Sequence, residues 1–549
     1  MFPETTHVVH NQAAARSDIN EYTANTALVE AVEQFAPHAD VQTLTEIGAH
    51  VATAEFQHAA EIVNTQIPQL HTHDRWGHRI DHIEFHPAYH DIIGTSLSFG
   101  SHSFAWTNDD VGANAERAAR FALFAQIEPG HACPVSMTHA AVPSLIGTDL
   151  EDFWVPKLTN TEYDPRLTDP AEKQAVTFGM AMTEKQGGSD VRTNTTLAEP
   201  VGDHYRLTGH KWFCSAPQSD AFLVLAQLPQ GLSCFLVPRV LPGGERNPFY
   251  IQRLKNKLGN KSNASSEIEL NATHGWLVGE PGGGVRAVIE MVARTRLDCV
   301  IGSTAGMRQA VAEAAWHARH RKAFGKTLID QPLMRAVLAD LQLESEAATW
   351  TMMHLAAAHD DETTGGRDFR CIATAIAKYW ICKRGPNHAY EALECLGGNG
   401  YVEDFPLARR YREQPVLAVW EGSGNVIVLD VLRALGREPR SAKQLLTFFE
   451  AALGHSSIYD ARFETFSAEM QQALTTLSSQ DAGAIAKLQR NGRVLVENLA
   501  LILQASVLLQ HAPSAIAQSF VDARLGEDAG QTYGVIPADV AFGPRIERA

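Results

Sequence analysis

Two stretches of the chain bring reactive or ligand-binding residue types together. In "VLAVWEGSGNVIVLDVLR", Val416 to Arg433, a single acid, Glu421, stands between an apolar run and a Gly-Ser-Gly turn that opens onto an amphipathic helix. A carboxylate held in a dry pocket has a raised pKa and is the stronger base for it, so proton abstraction is one chemistry this position can serve. A loop acid that caps the following helix through nearby N–H groups is the other. In "GMAMTEKQGGSDVRTNTT", hydroxyls adjoin the flexible Gly187-Gly188 pair, so backbone N–H groups and side-chain oxygens can converge on a planar or phosphorylated ligand. Taken alone, such a Gly-Gly-Ser loop is as often a plain turn.

A third stretch, "QLHTHDRWGHRIDHIEFHPAYHDIIG", holds six histidines from His71 to His90. Its spacing fits no zinc pattern, and no tight Cys or His pair faces a second one. We expect a polar hairpin with solvated histidines and no metal.

These residues need elements to position them. A chain of 549 residues exceeds one compact core, which points to three or four domains. Apolar residues at three- and four-residue spacing in "NTALVEAVEQFA" and "AERAARFALFAQI" predict a helical N-terminal domain over 1–178, with the histidine-rich hairpin as an insert. Period-two patterning follows in "HYRLTGHKWFCS", "FLVLAQ" and "LSCFLVP", which predicts an antiparallel β domain over 179–284, with "HYRLTGHKWFCS" read as two short runs around Thr208-Gly209. Helical patterning returns over 285–440. The segment "GVRAVIEMVARTRLDCVIGSTAGMRQAVAEAAWHARHRKAFG" is too long for one ordinary helix and is expected to bend or break at its glycines, and Pro386 is expected to bend the third long helix. A further helical domain covers 441–549. The fold class is α+β.

The chain carries 45% hydrophobic and 20% charged residues and a net charge of −17, which works against general affinity for nucleic acid or anionic lipid. Apolar runs are read as broken short of the ~20 residues that span a bilayer, and the N-terminus lacks a signal-peptide pattern. Seven scattered cysteines read as reduced thiols of a cytoplasmic protein.

Further along, "GHKWFCSA", "RKAFGKTLIDQP", "LECLGGNGY" and "YREQPVLAVWEGSGN" follow the Gly-Gly-Ser loop in order. This ordered set resembles the acyl-CoA dehydrogenase family of flavoproteins over about residues 90 to 435. The wording "MTEKQGGSDV", "KLGNKSNAS" and "VWEGSGN", with the extra C-terminal region, resembles the AidB-type branch associated with the adaptive response to DNA alkylation. The resemblance implies FAD bound between the β domain and the bundle, without a Rossmann glycine motif. It implies that Met182, Thr183, Gly188 and Ser189 contact the isoalloxazine and pyrophosphate, and that Phe213 and Ser215 cover the ring face and bond its polar edge. Ser423 and Asn425 match positions that touch the dinucleotide. Arg321, Phe324, Gly397 and Gly398 would reach the FAD of a neighbouring subunit, which implies an oligomer, most often a homotetramer. Glu394 stands where many relatives carry Gln.

The same resemblance makes Glu421 the base that removes the α-proton of an acyl-CoA while hydride leaves the β-carbon for the flavin. Some relatives place the base on a bundle helix; Thr295 occupies that position here, which closes the alternative. Arg296 matches an arginine near the substrate, and Ala293 replaces a common Asp. Two functions follow. One is a dehydrogenase of a short, branched or unusual acyl-CoA that passes electrons to an electron-accepting flavoprotein. The other is a flavin-bearing DNA-protection protein with weak dehydrogenase activity. Residues 441–549 hold 8 Lys and Arg against 11 Asp and Glu, a net of −3, yet Lys487, Arg490 and Arg493 lie three apart on one helical face, and Arg433, Arg437 and Arg440 cluster at the domain junction.

Overall fold

The computed structural model describes residues 6–479, 481–527, 530, 532–537 and 542–549. Its first helices start where side chains satisfy the N–H groups that a helix leaves unpaired. Asn25, Asp40 and Thr53 accept from the backbone N–H of Leu28, Thr43 and Phe56 at the openings of α1 (Thr26–Phe35), α2 (Val41–Val51) and α3 (Ala54–Thr65). The histidine-rich insert is an antiparallel hairpin of β1 (Gln69–His73) and β2 (Arg79–Glu84). His71 stacks on His82 across it and pairs with Glu84 at 2.8 Å. Among the described residues no group of three or more His, Cys, Asp or Glu is placed to hold a metal ion. α4 (Pro87–Ser98), α5 (Phe104–Thr107), α6 (Ala113–Ala125), α7 (Ala132–Leu145) and α8 (Glu151–Leu158) complete this region.

The β domain contains β3 (Phe178–Ala181), β4 (Leu197–Val201), β5 (His204–Ser215), β6 (Ala221–Leu228), β7 (Gly231–Pro238), β8 (Phe249–Leu254) and β9 (Ser265–Val278). Strands β6, β4, β5, β9 and β7 close into a ring because β7 pairs back onto β6; β3 adds to β6 and β8 to β9. Most pairs are antiparallel. β3 runs parallel to β6, with Phe178 opposite Ala221, because it enters from the N-terminal helices and not through a hairpin. "HYRLTGHKWFCS" is one strand and not two, since a register shift between Leu207 and Gly209 absorbs the glycine.

The bundle is α9 (Gly284–His320), α10 (Pro332–Ala357), α11 (Thr364–Cys395), α12 (Gly398–Tyr401), α13 (Pro406–Leu417) and α14 (Gly424–Arg437), with the two-residue strands β10 (Lys322–Ala323) and β11 (Lys326–Thr327) after α9. α9 is a single helix of 37 residues that does not break at its glycines, and α11 continues through Pro386. Two glycines of these helices serve close packing. A Cβ on Gly306 would meet Nε2 of Gln414 at 1.8 Å, and one on Gly385 would meet its Oε1 at 2.2 Å. These two glycines admit the Gln414 side chain of α13 between α9 and α11.

α15 (Pro439–Glu450), α16 (Ser457–Ser478), α17 (Ala482–His511), α18 (Ser514–Leu525) and α19 (Phe542–Ile546) follow. Gly492–His511 in α17 is 20 residues with mean hydropathy 1.5, interrupted by Arg493 and Glu497. It is a core helix here, burying Leu495, Val496, Leu499 and Leu503 and packing on α10, α11 and α14.

Candidate active site

Glu421 sits in the short connection between α13 and α14 with φ of 58°, a left-handed conformation rare for a residue with a side chain, followed by Gly422 at φ 110°. Such strain persists only where surrounding contacts hold it. Two cations do so through the backbone. Nε of Arg296, on α9, donates to the Glu421 carbonyl at 3.0 Å, and its Nη2 donates to Asp430 of α14 at 2.7 Å. Nζ of Lys378, on α11, donates to the Gly422 carbonyl. The backbone of the loop is thereby fixed at Glu421 and Gly422. Enclosure pushes the Glu421 carboxyl above the ordinary carboxylate range, and Arg296, Thr295 and Lys378 pull it back by less. A carboxylate prepared in this way is a proton acceptor.

Near it lies Cys133, at the start of α7, which also neighbours Ser215 at the end of β5. The Cys133 thiol lies among Lys257, Asn263, Ser215 and Glu421, and burial pushes it up to about 11, so it stays a neutral thiol. The Gly-Gly-Ser loop is built on a buried ion pair. Lys211 of β5 donates to Glu184 at 2.8 Å, and the Glu184 carboxylate also accepts from the backbone N–H groups of Thr195 and Thr196. These partners hold Glu184 far below the usual carboxylate range, although burial opposes them. The turn from Glu184 to Gly187 closes on itself, and the Thr183 carbonyl accepts from the Trp212 N–H at 2.8 Å. Met182 packs on the β-domain core, while Gly188 lies close against Thr183 and Ser189 is exposed.

This arrangement fits a flavin. Among the described residues the hydroxyls of Thr183, Ser189 and Ser423 have no protein partner, and Phe213 leaves 52% of its surface uncovered, so a planar ring has an aromatic face to lie on and hydroxyls to meet its polar atoms. Ser423 is the N-cap of α14 with no side-chain cap bond. Asn425, two residues on, accepts at Oδ1 from both Nε and Nη2 of Arg493, at 2.9 and 2.7 Å.

The other expected residues lie elsewhere. Arg321 ends α9, its guanidinium on the Asn11 carbonyl. Phe324 is 98% exposed with φ of 52°. At about 1.5 Å per residue, the helix from Thr295 to Arg321 spans about 40 Å, so Arg321 does not meet Glu421 within one chain. Gly397 and Gly398 are exposed beside open space. Lys487, Arg490 and Arg437 are exposed, Arg433 pairs with Asp430 and Arg440 with Asp368. Arg296 holds the base loop through the Glu421 carbonyl, and Arg493 bonds to Asn425. Sequence reasoning missed Lys378, Asp430, Lys211 and the structural role of Glu184. Only Glu184 carried a signal, an acid buried in the middle of the loop motif.

Comparison with known proteins agrees with this architecture. Residues 11–165 match the N-terminal domain of the adaptive response protein AidB, residues 179–273 the acyl-CoA dehydrogenase middle domain, and residues 282–436 the acyl-CoA dehydrogenase C-terminal domain. The chain is 41% identical over 530 residues to the putative acyl-CoA dehydrogenase AidB of Escherichia coli K12, covering 96% of this chain and 95% of that one. It is 28% identical over 496 residues to acyl-CoA dehydrogenase family member 11 of Caenorhabditis elegans, covering 85% and 80%. The crystal structure of C. elegans ACDH-11 in complex with C11-CoA superposes with a TM-score of 0.83 at 25% identity, covering 96% and 92%. With the fold, the site and a relative of this identity in agreement, the chain belongs to the acyl-CoA dehydrogenase family of FAD-dependent oxidoreductases, in the branch that carries the AidB N-terminal domain.

Proposed function

We propose that the chain oxidises an acyl-CoA thioester across its α and β carbons, with Glu421 as the base. The observation that carries this reading is the base loop: a strained acid, pinned by Arg296 and Lys378 through its backbone, with its carboxyl raised by enclosure. Bound FAD supplies the hydride acceptor. The rest is the work of the chain. Thr183, Ser189, Ser215, Ser423 and Asn425 hold the cofactor, Phe213 covers its ring, and Glu421 accepts the α-proton at its carboxylate. The substrate class is a short, branched or otherwise unusual acyl-CoA, and an electron-accepting flavoprotein reoxidises the flavin. The complex of a relative with C11-CoA supports an acyl-CoA ligand.

The position of Arg321, Phe324, Gly397 and Gly398, far along the bundle and facing outward, supports a homotetramer in which they complete a neighbour's FAD site. The alternative, a flavin-bearing DNA-protection protein, retains Lys487, Arg490 and Arg437 as exposed cations, but its stripe gives up Arg493 to Asn425. The test is anaerobic mixing of the yellow protein with a panel of acyl-CoA thioesters. Bleaching of the flavin band by one class supports the reading, and a colourless protein that cannot be reconstituted with FAD overturns it.

A further inference from the structure

Lys257, in the "KLGNKSNAS" connection between β8 and β9, has no part in the mechanism above, yet it is wired to the site. Its Nζ donates to the Asn263 carbonyl and, at 3.0 Å, to Oγ of Ser265. Ser265 pairs with Ser215 across the β5–β9 ladder, and the two Oγ atoms lie 3.3 Å apart. A chain of hydrogen bonds thus runs from an ammonium group through two hydroxyls to the residue at the flavin edge.

Neighbouring carboxylates favour the charged form of Lys257. Burial lowers its pKa to about 8, while Glu413 and Glu128 pull upward. Lys257 also lines an open cleft of about 680 Å³ with Lys261, Arg409 and Arg412, so its stem reaches water. The acids that face it are otherwise engaged. Glu128 accepts from the His131 N–H, Ser262 and Asn64, and is held down to about 2; Glu413 accepts from the Asn260 N–H, and burial raises its carboxyl. Cys133, between Lys257 and Ser215, is neutral.

We propose that Lys257 is a positioning residue that tunes the flavin: through Ser265 and Ser215 it holds a positive charge behind the polar edge of the ring and makes bound FAD easier to reduce. Reduction adds electron density to the ring, and a nearby fixed cation in a partly enclosed site stabilises the more negative state. The proposal rests on Ser215 standing at the flavin edge, as in the function proposed above.

The test is the midpoint potential of the bound flavin, titrated against reference dyes in the wild type, Lys257→Met, Lys257→Arg and Ser265→Ala. Lys257→Met is expected to lower the ratio of reduced to oxidised flavin at a fixed potential by at least tenfold, about 30 mV for a two-electron couple. Lys257→Arg keeps the charge and stays within about threefold of the wild type, a window set by the tenfold change expected above. Ser265→Ala cuts the relay with the lysine in place and shifts the ratio in the same direction. A Lys257→Met protein that is yellow and folded, with the wild-type potential, overturns the proposal. If Lys257→Met does not retain FAD, Ser265→Ala decides, and an unchanged potential overturns it equally. Failure of the wild type to take up FAD counts against the function proposed above, whereas an unmoved potential in yellow variants counts only against this inference.

Discussion

The base loop and the basic stripe of α17 both draw on charged residues, but they use them in opposite ways. Around Glu421 each charge has a fixed task. Arg296 holds the Glu421 carbonyl and Asp430, Lys378 holds the Gly422 carbonyl, and the backbone is forced into a left-handed turn. On α17, Lys487 and Arg490 extend into solvent, and Arg493 alone is engaged, by a neighbour from the first region. Strain with redundant anchors marks a place where geometry is constrained by chemistry, while solvated charge at helical spacing marks a surface. Arg493 joins the two, because it connects the extra C-terminal helices to the start of α14, where Ser423 and Asn425 would meet the dinucleotide.

The comparison can be broken from its strongest side first. Glu421→Gln keeps the shape of the side chain but cannot accept a proton, so flavin reduction by a competent acyl-CoA should fall by ~10²–10⁴-fold with FAD retained; stopped-flow absorbance reads this directly. Arg296→Ala leaves the acid in place but frees its loop, and a displacement of about 1 Å costs roughly 10²-fold in rate. The same stopped-flow trace should show that loss without loss of cofactor. Arg493→Ala removes the two bonds that fix Asn425, worth roughly 1 kcal/mol, or about fivefold in FAD affinity by fluorescence titration of apoprotein. Lys487→Ala and Arg490→Ala serve as controls and should leave that affinity alone.

The smallest effect is on stability. The folded state raises the pKa of Glu421 above its unfolded value, so it binds the proton more tightly than the unfolded chain does. Ionisation therefore costs stability as pH rises from the unfolded pKa to the folded one. Glu421→Gln escapes that cost. Its melting temperature should match the wild type in acid and exceed it at neutral pH, as thermal scans across pH would show.

Motifs confined to one short stretch were legible in the sequence. Glu421 with its glycines and Thr183 to Ser189 are local patterns, and so are the apolar runs of β6 and β7 on either side of their turn. What depends on a partner far away in the chain was not. α9 was expected to bend or break at its glycines because the packing role of Gly306, like that of Gly385 on α11, appears only when Gln414 of α13 is placed against them. The bond from Arg296 to the Glu421 carbonyl was not foreseen, because a backbone acceptor leaves no mark in a sequence. Arg493 was grouped with its helical neighbours because helix periodicity predicts which residues share a face, not which of them finds a partner on another element. The parallel entry of β3 was invisible for the same reason, since strand patterning carries no direction.

The central claim is that Glu421 acts as an ionised base from an enclosed position. The pH profile of the flavin-reduction rate in stopped flow, wild type beside Glu421→Gln, tests it most directly. The account predicts a wild-type rate that rises with pH through a single group titrating above the ordinary carboxylate range, because only the ionised acid accepts the α-proton, and a Gln variant that is slow at every pH with that inflection gone. A Gln variant reduced at the wild-type rate, or one that keeps the same inflection, would place the base elsewhere.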